Sequence, residues 1–261
     1  MPKQNLNNKV CLITGASSGI GRAAALALAE RGARVAIGAR NVDQLNIIAK
    51  EIQARGGEVL VVPVDVTDRI QVERMVQETV ACWEKVDVLI SNAGQYIRAP
   101  ILEMSIADLE RSMAVNFYGH VHVIQAVLPS MLRQGSGHIL LVSTMDAKKG
   151  IPPDAPYISA KSALSGFGDV LRQELRPLGI AVTTLFPGRV DTPMIANMQM
   201  PWVSAKISPD ATTKAILRAL QTRPAEVILP QQAVLLHIVN VASPRLADWF
   251  VRVLKLEGWK S

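Results

Sequence analysis

Short apolar runs alternate with longer segments whose apolar residues recur at helical spacing along most of this chain. The short runs are typical of buried β-strands, and the longer segments are typical of helices that pack on one face. The strand pattern falls at residues 9–14, 34–39, 58–64, 87–91, 138–143, 180–186 and 226–229. The helix pattern falls at residues 22–31, 43–55, 68–84, 106–132, 157–176 and 209–221. This alternation predicts an α/β fold, a doubly wound parallel sheet with ligands at the carboxyl ends of its strands.

Beyond residue 230 the alternation stops. Residues 231–242 and 244–256 form two apolar, helix-patterned stretches, separated at Ser243-Pro244. We therefore assign residues 1–230 to the main nucleotide-binding domain and residues 231–261 to a helical C-terminal extension of it. The first stretch carries more apolar residues than one contact can bury, so we expect the extension to be an interaction surface. Its candidate covers are a second copy of the chain, a membrane surface and the protein's own substrate cleft.

The composition predicts an aliphatic core, because 49% of the 261 residues are hydrophobic but only 4% are aromatic. Buried parallel strands covered by helices require such side chains. The 28 Lys and Arg residues against 22 Asp and Glu residues give a net charge of +6, and the basic residues are scattered. Nucleic-acid surfaces cluster their basic residues, so we expect no nucleic-acid binding. A phosphate-bearing cofactor is the expected anionic partner.

Other features bear on metals and location. The cysteines and histidines lie at no metal-ligand spacing, so no metal site is predicted. Residues 1–8 lack the apolar core of a signal peptide, and no apolar run reaches membrane-spanning length. We therefore expect a cytoplasmic protein. Peripheral membrane association is an alternative, because Arg245, Arg252, Lys255 and Lys260 outnumber the acidic residues of the extension.

A glycine-rich turn, Gly15 to Gly21, lies between the first predicted strand and the first predicted helix. Its glycines permit a tight turn and let the backbone approach a pyrophosphate at the positive end of the helix. The spacing is G-x-x-x-G-x-G. Strand, glycine turn and helix in this order predict a dinucleotide-binding unit of the Rossmann type.

A tyrosine and a lysine, Tyr157 and Lys161, stand four residues apart at the start of a predicted helix. This spacing places both side chains on one helix face, within reach of one bound molecule. A phenol has a pKa of about 10 and is a poor proton shuttle at neutral pH unless a nearby cation favours its phenolate. Lys161 is the candidate cation.

Other chemistry-bearing residues come at or just after the ends of predicted strands. They are Arg40, Asp65, Asn92, Ala93, Gly94, Ser143, Thr144, Pro187 and Gly188. Because the carboxyl ends of parallel strands share one edge of the sheet, we expect these residues to meet the glycine turn there.

Taken in chain order, these motifs resemble those of the short-chain dehydrogenase/reductase family along nearly the whole chain. The matching residues are Thr14-Gly15-x-x-x-Gly19-x-Gly21, Asp65-Val66, Asn92-Ala93-Gly94, Asn116, Tyr157-x-x-x-Lys161, and Pro187-Gly188 with Thr192. The extension lacks the glycine-rich ending of many bacterial members and loosely resembles that of the hydroxysteroid-dehydrogenase-like branch. The resemblance implies an NAD(P)-dependent oxidoreductase that interconverts a ketone or aldehyde with an alcohol. It also implies a small-molecule substrate, and we expect a homodimer or higher homo-oligomer.

The resemblance also implies roles for individual residues. Tyr157 is expected to be the general acid/base, with Lys161 lowering its pKa and holding the nicotinamide ribose, and Asn116 is expected to place a water in a relay to Lys161. A hydroxyl residue orients the substrate oxygen. The family carries a serine 13 residues before the tyrosine, where this chain has Thr144, and Ser143 lies one residue earlier. We favour Thr144, because its hydroxyl has the same hydrogen-bonding capacity as that of serine.

The resemblance further implies a set of cofactor-binding residues. They are Gly15, Ser17, Ser18, Gly19, Ile20, Gly21, Arg40, Asp65, Val66, Asn92, Ala93, Gly94, Tyr157, Lys161, Pro187, Gly188, Val190 and Thr192. Ala39 stands where NAD-specific members carry a carboxylate, and Arg40 follows it. An arginine offers a planar fork to a 2′-phosphate, so NADP(H) is favoured over NAD(H). Arg40 as a solvated charge or a partner of the adenine ring remains an alternative.

Two further interpretations stay open. Residues 194–202 follow the Pro187-Gly188 motif and carry three methionines and a tryptophan. They suit an adaptable apolar lid over an apolar substrate, or alternatively core packing. If Thr144 does not replace the usual serine, the chain is a nucleotide-binding regulatory or scaffold protein with weak or lost catalysis.

Overall fold

The computed structural model of the chain describes residues 6–199, 204, 206–256 and 259–260. Its strands are β1 Val10–Thr14, β2 Arg34–Ala39, β3 Val59–Pro63, β4 Val88–Ser91, β5 Gly137–Val142, β6 Ile180–Pro187, β7 Met198–Gln199, β8 Glu226–Leu229 and β9 Trp259–Lys260. Its helices are α1 Gly19–Ala29, α2 Val42–Ala54, α3 Arg69–Trp83, α4 Ile106–Met113, α5 Gly119–Arg133, α6 Ala155–Leu175, α7 Pro209–Thr222, α8 Ala233–Ala242 and α9 Pro244–Val253.

Within the described ranges, seven parallel strands form one sheet in the order β3-β2-β1-β4-β5-β6-β8. The strand order reverses direction between β1 and β4. In open parallel sheets, the crevice at such a reversal is where ligands bind. The predicted doubly wound α/β sheet is confirmed, and β7 pairs with β9 as a small antiparallel ribbon outside it.

The two faces of the sheet are covered by different helices. Cys11 and Ile13 of β1 pack into one core with α1, α2 and α7, whereas Leu12 packs into the other core with α3, α5 and α6. All five residues of β1 are buried. Successive side chains of a strand point to opposite faces, so one apolar run supplies both cores.

The segment predicted as one helix over residues 106–132 is interrupted. A turn of π-helix, Ala114–Tyr118, separates α4 from α5. Such turns are rare and occur mostly at functional sites. This turn carries Asn116, whose side chain is fully buried. The hydrophobic pattern did not reveal it, because one extra residue per turn barely disturbs the spacing of apolar residues.

The C-terminal extension packs its inner face against the loop that follows β5. Lys149 Nζ lies 2.5 Å from Asp248 Oδ1, and Asn240 Nδ2 donates to the Lys148 carbonyl at 3.3 Å. Leu236 packs on a small buried cluster of Ile151, Val251 and Leu256. The inner face of the extension is therefore covered by the protein itself, at the segment that follows β5.

The outer face of the extension is exposed and apolar. It carries Ile238, Val241, Leu246, Trp249 and Val253. In the part of the chain that the structure describes, no helix combines the length and the hydropathy needed to cross a membrane. Glu257, an acidic residue of the extension, lies outside the described residues, as do the side chain of Lys260 and residues Met200 and Trp202 of the expected lid.

Candidate active site

The turn between β1 and α1 requires its glycines. Gly15 and Gly19 have φ angles of +65° and +53°, in the left-handed region that favours glycine. A Cβ atom on Gly21 would lie 2.4 Å from the Gly15 carbonyl oxygen, and one on Gly19 would lie 2.8 Å from Thr192 Cγ2. The backbone is thus closely packed around an open turn at the start of α1, where the helix dipole favours an anion.

The loop after β4 holds this turn in place. Asn92 Nδ2 donates to the carbonyls of Thr14 and Gly15 at 3.1 and 3.2 Å. Thr14 Oγ1 accepts from the backbone N–H groups of Asn92 and Ala93 at 3.0 and 3.2 Å. Two neighbouring strand ends are therefore joined at the point where the strand order reverses.

A cavity of about 610 Å³, here called the glycine-loop cavity, opens at this edge. Its lining includes Gly15, Ser17, Ser18, Gly19, Ile20, Arg40, Asp65, Val66, Asn92, Ala93, Gly94 and Thr192. The Arg40 side chain is 70% exposed, and its Nη1 lies 3.9 Å from Asp65 Oδ2. A backbone cradle at a helix N-terminus, with a cation at the end of β2, fits a dinucleotide that bears phosphate groups.

A second cavity of about 100 Å³, the tyrosine cavity, adjoins the first. The two share Ile20, Asn92, Gly94, Thr192 and Met194 in their walls. Predicted residues that line the tyrosine cavity are Thr144, Tyr157, Lys161, Pro187, Gly188, Val190 and Thr192, together with Ser143. Of the predicted site residues, all of which lie in the described ranges, only Gly21 and Asn116 line neither cavity.

The two neighbouring hydroxyls after β5 have different bonds. Ser143 Oγ donates its hydrogen to the Lys161 carbonyl at 3.1 Å. Thr144 Oγ1 accepts from the Asp146 N–H at 3.3 Å, which uses a lone pair and not the hydroxyl hydrogen. Thr144 therefore keeps a donor for a molecule in the tyrosine cavity, whereas Ser143 fastens β5 to α6.

Asn116 supports the site from beneath. Its Nδ2 donates to the Gln95 carbonyl at 2.8 Å and to Ser112 Oγ at 3.1 Å, while its Oδ1 accepts from the Gln95 N–H at 3.0 Å. A Cβ atom on Gly94 would lie 3.1 Å from Asn116 Oδ1 and 3.8 Å from Lys161 Nζ. The Asn116 amide thus holds the backbone of Gln95, the residue that follows Asn92-Ala93-Gly94.

Lys161 is almost fully buried and has two partners at its Nζ. It donates to the Val142 carbonyl at 2.8 Å and lies 3.3 Å from His120 Nε2. Burial lowers the pKa of Lys161 to about 7. Burial and the Lys161 charge hold the pKa of His120 well below its usual range, so the imidazole is neutral and accepts from Lys161. His120 Nδ1 in turn lies 2.7 Å from Ser91 Oγ.

Burial, followed by the Asp146 and Asp154 carboxylates, raises the pKa of the Tyr157 phenol above the ordinary value. The Lys161 ammonium group donates to the Val142 carbonyl and lies beside His120, and its effect on the Tyr157 pKa stays a prediction. The phenol therefore holds its proton at neutral pH.

A buried group that the sequence analysis missed braces Tyr157. The Tyr96 and Tyr157 rings meet edge to face with centroids 4.9 Å apart, and Tyr96 Oη donates to Asp154 Oδ2 at 2.5 Å. Arg98 Nε donates to Asp154 Oδ1 at 2.8 Å, and this carboxyl is fully buried. The only sequence signal was position: Tyr96 and Arg98 follow Asn92-Ala93-Gly94, and Asp154 precedes α6.

Known proteins resemble the chain over most of its length. A family model described as short chain dehydrogenase matches residues 9–201. A Drosophila melanogaster protein named dehydrogenase/reductase SDR family protein 7-like is 31% identical, and the match covers 98% of this chain and 84% of that one. An Acinetobacter baylyi fatty acyl-CoA reductase is 33% identical, with 86% of this chain and 77% of that one covered.

Solved structures agree. An alcohol dehydrogenase from the archaeon Thermococcus sibiricus, in complex with 5-hydroxy-NADP, superposes with a TM-score of 0.79. It is 32% identical, and the match covers 85% of this chain and 96% of that one. An actinorhodin polyketide ketoreductase with NADPH has the same TM-score at 26% identity, covering 85% and 95%. This chain therefore belongs to the short-chain dehydrogenase/reductase family and is an oxidoreductase of that family.

Proposed function

We propose that this protein is an NADP(H)-dependent oxidoreductase that interconverts a ketone or aldehyde with an alcohol. The observation that carries the proposal is the tyrosine cavity. Thr144 and Tyr157, whose phenol is protonated at neutral pH, both line this cavity, which adjoins the glycine-loop cavity. A carbonyl oxygen in this cavity meets two O–H groups, and both can donate to it.

When bound, the cofactor supplies the hydride. The part played by this chain is to orient the carbonyl and to manage one proton. Thr144 donates a hydrogen bond that polarises the carbonyl and stabilises the negative charge that develops on its oxygen. Tyr157 gives its proton to that oxygen and thereby completes the alcohol. In the reverse direction, Tyr157 accepts this proton.

Other residues position these two groups. Ser143 and Val142 bond to Lys161 and so fix the first turns of α6 against β5. We infer that Lys161 turns toward the ribose hydroxyls of a bound cofactor and exchanges its bond to His120 for them. Asn116 holds the backbone at Gln95, beside Gly94 in the wall that both cavities share.

The preference for NADP(H) over NAD(H) rests on the end of β2. Ala39 leaves no carboxylate there to repel a 2′-phosphate, and the exposed guanidinium of Arg40 lines the glycine-loop cavity. Asp65 lies beside Arg40 but follows the next strand, β3. Relatives solved with NADP-type cofactors support the proposal.

We also propose that the outer face of the extension is an interface between copies of this chain, since its exposed residues include Ile238, Val241 and Trp249. Light scattering of the wild type and of Trp249→Lys, with and without anionic liposomes, tests it. A dimer or larger assembly that the variant dissociates is the expected result. Binding of a monomer to liposomes would instead assign this face to a membrane, and a monomer that ignores liposomes would leave it without a partner.

The direct test of the proposed activity is NADPH oxidation against a panel of ketones, aldehydes and steroids, with Tyr157→Phe as the matched control. Turnover of at least one carbonyl compound by the wild type alone is the expected result. Tight NADPH binding without turnover across the panel would favour the regulatory or scaffold alternative.

A further inference from the structure

A third cavity, the extension cavity, lies between the C-terminal helices and the loop that follows β5. Its volume is about 450 Å³. Apolar side chains from distant parts of the chain line it, including Met145, Ile151, Leu236, Val239, Phe250 and Leu254. Native interiors contain few voids larger than a water molecule, since each void forfeits packing contacts. An apolar space of this size therefore has the properties of a binding site.

The extension cavity adjoins the tyrosine cavity. Asp146, Gly188 and Arg189 stand in the walls of both. Most of the polar groups of the extension cavity are at this junction, where Arg189 Nη1 donates to Ser204 Oγ at 2.9 Å. The remainder of the space is lined mainly by aliphatic and aromatic groups. A molecule that spans the two cavities thus meets hydroxyls at one end and apolar side chains at the other.

The walls of the extension cavity are fastened in place. Arg189 Nη2 donates to the Leu256 carbonyl at 2.5 Å, which joins the end of the extension to the segment after β6. The ion pair between Lys149 and Asp248 joins α9 to the segment after β5. These bonds attach the extension to both loops that border the tyrosine cavity.

We propose that the substrate is an amphiphile whose carbonyl lies between Thr144 and Tyr157 and whose aliphatic tail fills the extension cavity. This inference rests on the proposed function and names its substrate class. The wall shared by the tyrosine cavity and the extension cavity favours a substrate tail over a separate ligand in the extension cavity, because the proposed carbonyl position lies in the adjoining cavity. A cavity of about 150 Å³ holds benzene, so by proportion the extension cavity holds a chain on the order of ten carbons or more.

The first test is a homologous series from butanal to tetradecanal. For the wild type, kcat/KM rises by up to about fourfold for each added methylene until the cavity is full, which is the gain expected from burying a CH₂ group. Leu236→Trp fills the cavity and lowers kcat/KM for dodecanal at least tenfold, whereas butanal is unaffected. Ile70→Trp, an exposed position on α3 that lines none of the three cavities, leaves kcat/KM for both substrates unchanged.

The second test measures binding without turnover. Isothermal titration of 1-dodecanol into the NADPH-loaded protein gives a saturable heat for the wild type and for Ile70→Trp, and none for Leu236→Trp. Should Leu236→Trp fail to fold, Val239→Phe narrows the same cavity by less and is expected to shift the chain-length optimum to shorter aldehydes.

These outcomes separate the two proposals. Turnover of butanal and dodecanal with equal kcat/KM, unaltered by Leu236→Trp, would overturn the tail site and leave the proposed activity intact. Binding of 1-dodecanol that Leu236→Trp abolishes, in a protein that reduces no carbonyl compound, would support the tail site and overturn the activity.

Discussion

The glycine-loop cavity and the extension cavity both adjoin the tyrosine cavity but are built in opposite ways. The glycine-loop cavity is walled by backbone and polar groups at the ends of β1 to β4, within short motifs. The extension cavity is walled by apolar side chains from segments about a hundred residues apart in the sequence. The first offers charged and polar groups suited to a cofactor, and the second offers mainly shape and apolar surface. Under the proposed function catalysis uses both cavities, and each can be disturbed without the other.

The largest expected effect comes from the residue between the two cavities. Tyr157→Phe removes only the phenolic hydroxyl and so deprives the alkoxide of its proton. We expect turnover to fall by about 10³-fold or more, while NADPH and 1-dodecanol bind as in the wild type. Steady-state kinetics measure the turnover, and titrations measure the binding of NADPH and 1-dodecanol. A residual rate within about tenfold of the wild type, roughly 1.4 kcal/mol in barrier, would remove Tyr157 from the mechanism.

Thr144→Ala is expected to cost about 2 to 4 kcal/mol of transition-state stabilisation, as loss of an oxyanion donor does. Ser143→Ala should have a mild effect, because the Ser143 hydrogen is used by the Lys161 carbonyl. Comparing kcat/KM of the two variants at saturating NADPH checks this order. The reverse order would make Ser143 the partner of the substrate oxygen.

Arg40→Ala affects the glycine-loop cavity alone. It should weaken NADPH binding by about 1.5 to 3 kcal/mol, the range for a charge-assisted hydrogen bond, and leave NADH binding nearly unchanged. The dependence of kcat/KM on aldehyde chain length should be unchanged. Equal losses for NADPH and NADH in fluorescence titrations would show that Arg40 does not contact the 2′-phosphate.

Lys161→Met is expected to stabilise the fold while it impairs catalysis. The pKa of Lys161 falls from 10.5 to about 7 in the folded protein. The unfolded chain therefore binds more protons between these pH values, and wild-type stability rises with pH across that window. Below pH 7 the full cost of burying the ammonium is present.

Methionine removes this cost but also the bonds to Val142 and His120, so the net gain should be about 2 kcal/mol at pH 6, vanish near about pH 8.5 and become a net loss toward pH 10.5. Urea denaturation at several pH values measures it. A variant less stable than the wild type at pH 6 would show that the two hydrogen bonds outweigh the buried charge.

The contrast between the cavities also explains what the sequence could predict. The alternation of strands and helices, the glycine turn and the convergence of Asn92 and Thr144 at one edge of the sheet follow from local patterns and from the geometry of parallel sheets. The extension cavity depends on how Leu236, Val251 and Leu256 pack against Ile151, and no local pattern encodes such a distant contact. The raised pKa of Tyr157 likewise depends on its burial and then on Asp146 and Asp154, whose positions became clear only in three dimensions.

His120 is a second residue whose contacts the sequence pattern could not predict. Its place in the helix pattern gave no sign of chemistry, yet its imidazole contacts both Ser91 and Lys161. The interruption of the long helix by a π-turn fixes where α5 begins and so determines which of its side chains face Lys161. A one-residue change in helix phase lies beyond what periodicity can resolve.

Isotope transfer is the most direct test of the proposed reaction, in which a hydride reaches a carbonyl carbon and Tyr157 gives a proton to the carbonyl oxygen. The protein is incubated with dodecanal and NADPH carrying deuterium at both C4 positions of the nicotinamide, and the alcohol is analysed by mass spectrometry. We expect dodecanol that carries one deuterium from the wild type and no dodecanol above background from Tyr157→Phe. Dodecanol without deuterium, or deuterated dodecanol formed equally well by Tyr157→Phe, would contradict it.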